Sequence, residues 1–181
     1  MNQNQSLHRD QMVRKTSYAI VLIALGAALS PFTSFPLGIA RVNPTQHFLN
    51  VLLSTLLGLR WSAGGATLMA LIRNLLGTGT LLAFPGGIFG ALLSGLLYRL
   101  TGRYVLAALG EVIGTSIAGT LVSALWVAPS FLGKTPGLLA LGASFFASSL
   151  LGALTAFIVL GTLSRASLLP HLNWTGRDGS H

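Results

Sequence analysis

The chain of 181 residues contains no cysteine and only three acidic residues. The absence of cysteine excludes disulfides, thiolate metal sites, iron–sulfur clusters and a cysteine nucleophile. Charged residues make up 8% of the chain, whereas a soluble domain carries about 25%. So few charges cannot cover the surface of a water-soluble globule, which argues against an ordinary cytosolic enzyme or a secreted domain.

The chain is instead rich in long apolar segments. Hydrophobic residues make up 52% of it, the mean hydropathy is +0.72, and there are 22 glycines, a residue commoner in transmembrane helices than in soluble ones. A helix of about 20 apolar residues crosses a bilayer, and the chain has room for six. The predicted spans are residues 17–40, 45–60, 62–80, 83–100, 104–128 and 138–163. We therefore predict an all-α membrane protein with six transmembrane helices.

The basic residues indicate the orientation of these spans. An even number of spans puts both termini on one side, and Lys and Arg are enriched in cytoplasmic loops. With both termini inside, the cytoplasmic basic residues are Arg9, Arg14, Lys15, Arg60, Arg99, Arg103, Arg165 and Arg177. Arg41 and Lys134 then lie outside, and Arg73 lies within the third span. The net charge of +8 is thus explained by multi-pass insertion into the cell membrane, without nucleic-acid binding.

This topology divides the chain into three parts. Residues 1–16 form a polar cytoplasmic segment, residues 17–165 form the six-helix transmembrane domain, and residues 166–181 form a polar cytoplasmic tail. Function is expected in the middle part, because polar side chains inside a membrane are costly and are functional candidates by default.

Polar candidates occur in the second, third and fifth spans and in the turn before the fourth. They are Gln46, His47, Asn50, Arg73, Asn74, Thr78, Thr80 and Glu111. The first three lie within about one helical turn, so they can face one cavity. Most of the eight lie towards the outer side, which predicts a pocket open to the exterior. Amide groups and an imidazole on an apolar wall suit a small heteroaromatic ligand with a hydroxyl group.

Two structural alternatives stay open for these residues. Gln46 and Asn50 could bond only to neighbouring backbone at a helix start. Arg73 and Glu111 could form a structural ion pair, since each lies about 10 Å deep from opposite faces of the bilayer at 1.5 Å per residue. A metal site is not expected, because His47 has no second ligand at a suitable spacing.

Enzymatic activity is not expected either, since the chain offers almost no acid–base groups for catalysis. The GTGT string at 77–80 lacks the lysine of a phosphate-binding loop. If the protein drives uphill transport, the energy must come from partner subunits or from an ion gradient. A self-contained permease coupled to protons through Glu111 is therefore the alternative to a subunit of a larger transporter.

Small residues at four-residue spacing mark close helix contacts. In the first span these are Ala24 and Ala28, and in the fourth and fifth they include Gly86, Gly90, Gly110 and Gly114. Packing within the chain is the simpler interpretation for each of these sets of residues. For Ala24 and Ala28 a partner surface is favoured by the resemblance described next.

Three stretches carry a family resemblance: residues 24–61, 71–103 and 110–119. Within them the strings PTQHFLNV and RNLLGTGTLLAFPG are the most specific. They resemble the ThiW family of S components, the substrate-binding subunits of energy-coupling factor (ECF) transporters. The resemblance covers about half of the chain, and nothing distinctive follows Val127.

The resemblance implies an S-component-like bundle that binds a thiamine precursor, hydroxyethylthiazole, from outside. It also implies docking on a transmembrane coupling subunit (EcfT) that carries two ABC-type ATPases, with small residues of the first helix as the docking face. Ala24 and Ala28 match that face. No cofactor is implied. A neutral thiazole offers Glu111 no cation, so the role of this residue stays open.

Overall fold

The computed structural model describes residues 3–37, 40–133 and 135–168. In these ranges the chain forms six helices and one small hairpin. The helices are α1 (Gln3–Thr33), α2 (Pro44–Leu56), α3 (Leu59–Leu75), α4 (Ala83–Thr101), α5 (Tyr104–Leu132) and α6 (Leu138–Arg165). The strands β1 (Phe35–Leu37) and β2 (Ala40–Val42) pair antiparallel between α1 and α2. Lys134 and residues 169–181 of the predicted tail, Arg177 among them, lie outside the described residues.

Four of the six helices are long and apolar enough to cross a membrane, judged over the described ranges: α4, α5, α6 and the Arg9–Thr33 part of α1. Helices α2 and α3 have 13 and 17 residues, or about 20 and 26 Å at 1.5 Å per residue. Both are shorter than the predicted spans at 45–60 and 62–80. The break between them falls at Gly58, whose φ of +99° is readily adopted only by glycine.

The first predicted span differs from α1 at both ends. The helix begins at Gln3 instead of residue 17, because polar residues continue the helix ahead of the apolar run. It ends at Thr33 instead of residue 40, since the chain turns there into the hairpin, in which Phe35 pairs with Val42. Pro31 lies in the last turn of α1 and does not end it.

The outer surface of the bundle is apolar. Ile20, Val21, Leu125 and Ile158 are each more than 60% exposed, as expected for side chains that face lipid. Helix α2 lies at the centre of the bundle: nine of its residues are buried, and it packs against each of the five other helices.

Helices α4 and α5 pack backbone to backbone. A Cβ atom at Gly110 would lie 2.8 Å from the carbonyl oxygen of Leu93, and one at Gly119 would lie 2.6 Å from the Cα of Gly86. Glycine is therefore needed at these α5 positions to let the helices approach. The expectation of internal packing for the small residues of α4 and α5 is confirmed.

Helix α1 is the least buried of the four long apolar helices, with 22% of its span buried against 39–44% for the others. Its Gly26 faces inwards against Leu49 and Met69. Ala24 and Ala28 are exposed. This face of α1 is thus not covered by the described part of the chain.

Three basic residues meet at one end of the bundle. Lys15, Arg60 and Arg99 line a single cavity of about 460 Å³ together with Trp61 and Tyr98. The start of α5 meets the last third of α6, because the Tyr104 ring packs 5.8 Å from that of Phe157. The hairpin and the turn between α3 and α4 lie at the opposite end.

Candidate functional site

The buried guanidinium of Arg73 organises the end of the bundle near the hairpin. Its Nε donates to Ser30 Oγ at 3.0 Å, and its two terminal nitrogens donate to Gln46 Oε1, Ser34 Oγ and the carbonyl oxygen of Thr78. Arg73 is 3% exposed, and all of these acceptors are neutral. One side chain therefore ties together α1, the start of the hairpin, α2 and the turn after α3.

Asn43 extends this network to the start of α2. It caps the helix, since its Oδ1 accepts from the backbone N–H of Gln46 at 3.0 Å and Pro44 follows at the first helical position, which is a favourable start. Its Nδ2 donates to Ser30 and Ser34 at 2.8 Å each. The cap thereby fixes the first turn of α2, from which Gln46 and His47 project.

A second polar cluster surrounds Glu111 in α5, whose side chain is fully buried. Its Oε1 lies 2.7 Å from His47 Nδ1 and accepts from Asn50 Nδ2 at 2.9 Å. The Oγ1 of Thr115, one turn later in α5, lies 3.5 Å from the same oxygen and donates to the carbonyl oxygen of Gly86 at 3.0 Å. Glu111 thus joins α5 to α2, and both helices reach α4 at its glycines.

Glycines in α4 make room for these side chains. A Cβ atom at Gly90 would collide with Thr115 Oγ1 and lie 2.6 Å from Glu111 Oε1, and one at Gly87 would collide with Gln46 Nε2. The small residues of α4 therefore do more than let helices approach, because they leave the space that the polar side chains occupy.

Three polar atoms of this region are buried without a hydrogen-bond partner in the described structure: Gln46 Nε2, Asn50 Oδ1 and Glu111 Oε2. Such atoms are rare in folded proteins and call for an explanation. A cavity of about 20 Å³ lies beside Gln46, lined also by His47, Arg73, Thr115 and Phe145 among others. Asn50 and Glu111 lie behind this lining, since Glu111 Oε1 contacts His47, Thr115 and Asn50. A cavity of this volume holds about one water molecule, so a ring-sized ligand requires its lining to move apart.

The structure brings together five of the eight predicted site residues. Gln46, His47, Asn50, Arg73 and Glu111 belong to two clusters joined through α2. The possible ion pair between Arg73 and Glu111 is not formed, since Glu111 pairs with His47 and Arg73 bonds to neutral groups. The backbone alternative fails for Gln46, whose side chain bonds to Arg73.

The remaining three predicted residues lie at the turn between α3 and α4. Asn74 Nδ2 donates to the carbonyl oxygens of Ala70 and Thr80, at 2.8 and 3.2 Å. Thr78 Oγ1 lies 3.3 Å from Ser30 Oγ. Thr80 takes part through its backbone carbonyl. These residues hold the turn that accepts from Arg73, and their contact with a ligand stays a prediction.

Several residues of the site were not among the predicted ones. Ser30 and Asn43 bond within the Arg73 cluster, and Phe145 and Ser148 of α6 line the cavity. Ser148 also accepts from the backbone N–H of Asn43 at 3.0 Å. The sequence signal for α6 is a set of small residues at four-residue spacing, Ser144, Ser148 and Gly152. It is weak, because the region after Val127 is otherwise apolar.

Long helices with an apolar outer surface around buried polar clusters define a multi-pass helical membrane protein. The chain belongs to the ThiW family, described as thiamine-precursor transporter proteins, and the family model matches residues 16–166. The resemblance carried by the N-terminal two-thirds is thereby confirmed, and it extends through α6. No curated protein and no solved structure matches the chain.

Proposed function

We propose that this protein is the substrate-binding membrane subunit of an ECF-type ABC transporter. It captures a thiamine precursor, hydroxyethylthiazole, from outside the cell for uptake that is driven by ATP. An EcfT coupling subunit and two ABC-type ATPases supply the energy. The observation that carries this proposal is the buried group of Gln46, Asn50 and Glu111, each of which has one polar atom without a partner among the described residues. A small polar ligand would satisfy these atoms, and the chain belongs to a thiamine-precursor transporter family.

The orientation of the site rests on the basic residues. Lys15, Arg60 and Arg99 surround one cavity at the end of the bundle opposite the hairpin, and basic residues favour the cytoplasmic side. In this proposal all six helices cross the cell membrane, both termini are cytoplasmic, and the Arg73 cluster faces the exterior. Helix α2 is short for a span, and it packs against each of the five other helices.

The binding test is calorimetric titration of purified protein in detergent with hydroxyethylthiazole, using thiamine and the pyrimidine precursor as competitors. We expect a tight site that prefers the thiazole. Preference for thiamine or for the pyrimidine would contradict the substrate and leave the transporter class. Absence of binding by all three, from protein whose thermal unfolding shows that it is folded, would contradict the proposal as a whole.

The docking test uses the exposed face of α1. We expect Ala24→Trp and Ala28→Trp to leave thiazole binding intact and to abolish uptake by the assembled transporter, because added bulk blocks close helix approach. Ile117→Trp, at an exposed position of α5, is the matched control and should leave uptake unchanged. Loss of thiazole binding in Ala24→Trp or Ala28→Trp would mean that this face of α1 packs within the subunit itself.

The buried pair of His47 and Glu111 favours one other candidate, a self-contained permease coupled to protons. Two titratable groups 2.7 Å apart within a membrane are the parts of a proton relay. This candidate predicts thiazole uptake into vesicles that hold the purified protein alone, driven by a pH gradient and lost in Glu111→Gln. Uptake that requires the coupling subunit and ATP would contradict it.

A further inference from the structure

The hydrogen-bond network fixes which end of the Gln46 amide faces the cavity. Gln46 Oε1 accepts from Arg73, and an arginine side chain can only donate. The oxygen is therefore committed to Arg73, and the NH2 group is the free end. Gln46 Nε2 is buried without a partner, next to Gly87 of α4. At this point the site presents an unpaired donor.

The Asn50 amide has the opposite orientation. Its Nδ2 donates to the carbonyl oxygen of Gly87 at 3.1 Å and to Glu111 Oε1 at 2.9 Å, and a backbone carbonyl oxygen only accepts. The oxygen of Asn50 is therefore the free end, and Glu111 Oε2 is a second unpaired oxygen nearby. One turn of α2 beyond the unpaired donor, the site presents unpaired acceptors.

A ligand that satisfies this site carries an acceptor at one end and a donor at the other. A free thiazole with a hydroxyethyl arm has both, since its ring nitrogen holds a lone pair and its hydroxyl group donates. An N-alkylated thiazolium, as in intact thiamine, has no lone pair on that nitrogen. It also carries a positive charge, which would lie close to the guanidinium that holds Gln46.

We propose that Gln46, held by Arg73, is the residue that selects a thiazole with an unalkylated ring nitrogen. Its Nε2 donates to the ring nitrogen, and the ligand hydroxyl donates to Asn50 Oδ1 or Glu111 Oε2. The inference rests on the proposed function, because it names how that site reads its substrate. Binding widens the cavity of about 20 Å³, whose lining includes Val42 and Phe145, to admit the ring.

The test compares three ligands on the wild-type protein by calorimetric titration. They are hydroxyethylthiazole, its N-methylated thiazolium, and the analogue with an ethyl group in place of the hydroxyethyl arm. Each analogue leaves one buried group of the site unpaired, which costs about 1–3 kcal/mol. We expect both to bind roughly tenfold to a hundredfold more weakly than the parent, the conversion of that cost into affinity.

The variant Gln46→Glu exchanges the donor for an acceptor at nearly constant shape. One carboxylate oxygen still accepts from Arg73, and the other replaces Nε2. We expect this variant to lose affinity for the free thiazole by at least about tenfold, and the preference over the N-methylated thiazolium to vanish or reverse. Thr120→Val, which removes a buried unpartnered hydroxyl outside the cavity lining, is the control and should bind all three ligands as the wild type does.

Equal affinity of the wild type for the free thiazole and its N-methylated form would overturn the inference while the proposed function stands. So would a Gln46→Glu variant that is folded by thermal unfolding and loses affinity for both forms equally. Failure of all three ligands to bind folded wild-type protein would overturn the thiazole assignment in the proposed function as well. The wild-type series can overturn the inference even where the variant does not fold.

Discussion

The two polar clusters of this protein share helix α2 but differ in how completely they are bonded. In the Arg73 cluster, each guanidinium nitrogen has an acceptor, from α1, the hairpin start, α2 or the turn after α3. In the Glu111 cluster, Glu111 Oε2 and Asn50 Oδ1 have none among the described residues. Because unpaired buried atoms are costly, the comparison separates a cluster that holds the fold from one suited to a ligand.

Gln46 belongs to both clusters, and this explains its importance. Its oxygen completes the Arg73 cluster, and its nitrogen, unpaired among the described residues, lies next to Gly87, whose carbonyl oxygen accepts from Asn50 of the Glu111 cluster. The satisfied cluster thereby orients a donor for the unsatisfied one. The predictions that follow test this division, beginning with the largest expected change.

Replacing Arg73 breaks the bonded cluster. Arg73→Met keeps much of the apolar length and removes every hydrogen bond that joins α1, α2 and the α3–α4 turn through this side chain. Hydrogen bonds to charged groups contribute about 1.5–3 kcal/mol each, so we expect a loss of at least about 3 kcal/mol, measured by unfolding in detergent. Arg165→Met, at an exposed position, should change stability by less than about 0.5 kcal/mol. Similar values for both variants would contradict a structural role for Arg73.

Crowding the Glu111 cluster from α4 should have an intermediate effect. In Gly90→Ala the added carbon would meet Thr115 Oγ1 and lie 2.6 Å from Glu111 Oε1, and overpacking costs about 1–3 kcal/mol. We expect a lower unfolding temperature together with weaker thiazole binding, because Glu111 must move away from His47 and Asn50.

The matched control for Gly90 is Gly64 in α3. A Cβ atom there would meet nothing within 4 Å, so Gly64→Ala should stabilise the helix by about 0.5–1 kcal/mol and leave binding unchanged. If Gly90→Ala and Gly64→Ala behaved alike, the packing of Glu111 against α4 would not matter for the site.

Removing an unpaired hydroxyl outside the cavity lining should have the smallest effect. Thr120 is 5% exposed and its Oγ1 has no partner among the described residues. Thr120→Val should therefore change the free energy of unfolding by less than about 1 kcal/mol, in the stabilising direction, with unchanged thiazole affinity. A clear loss of thiazole affinity would mean that the binding site extends towards α6. It would contradict the assignment of ligand binding to the Glu111 cluster.

The prediction from sequence succeeded where local composition decides. The six apolar segments correspond to six helices, and each predicted span overlaps the observed helix. The boundaries were less accurate at α1, where hydropathy marks the apolar residues from 17 onwards but a helix also includes the polar residues from Gln3. The hairpin was not predicted, because strands of three residues with Pro36 in one of them leave too short a pattern to detect.

The sequence predicted which residues belong to the site but not which of them pair. Polarity within apolar segments singled out Gln46, His47, Asn50, Arg73 and Glu111. It suggested Arg73 as a partner of Glu111, whereas the structure joins Glu111 to His47, 64 positions away. It also passed over Ser148, because a serine in an apolar helix is unremarkable until a distant backbone N–H is found to donate to it.

The sequence by itself determined that this protein consists of membrane helices. A surface with so little charge and such long apolar segments is suited to lipid and not to water. The sequence also determined that the small residues of α4 and α5 would bring these two helices close. Only the tertiary structure decided which polar groups meet and which atoms stay unpaired. Those outcomes depend on the rotation and depth of helices that are far apart in the chain, and no local pattern encodes either.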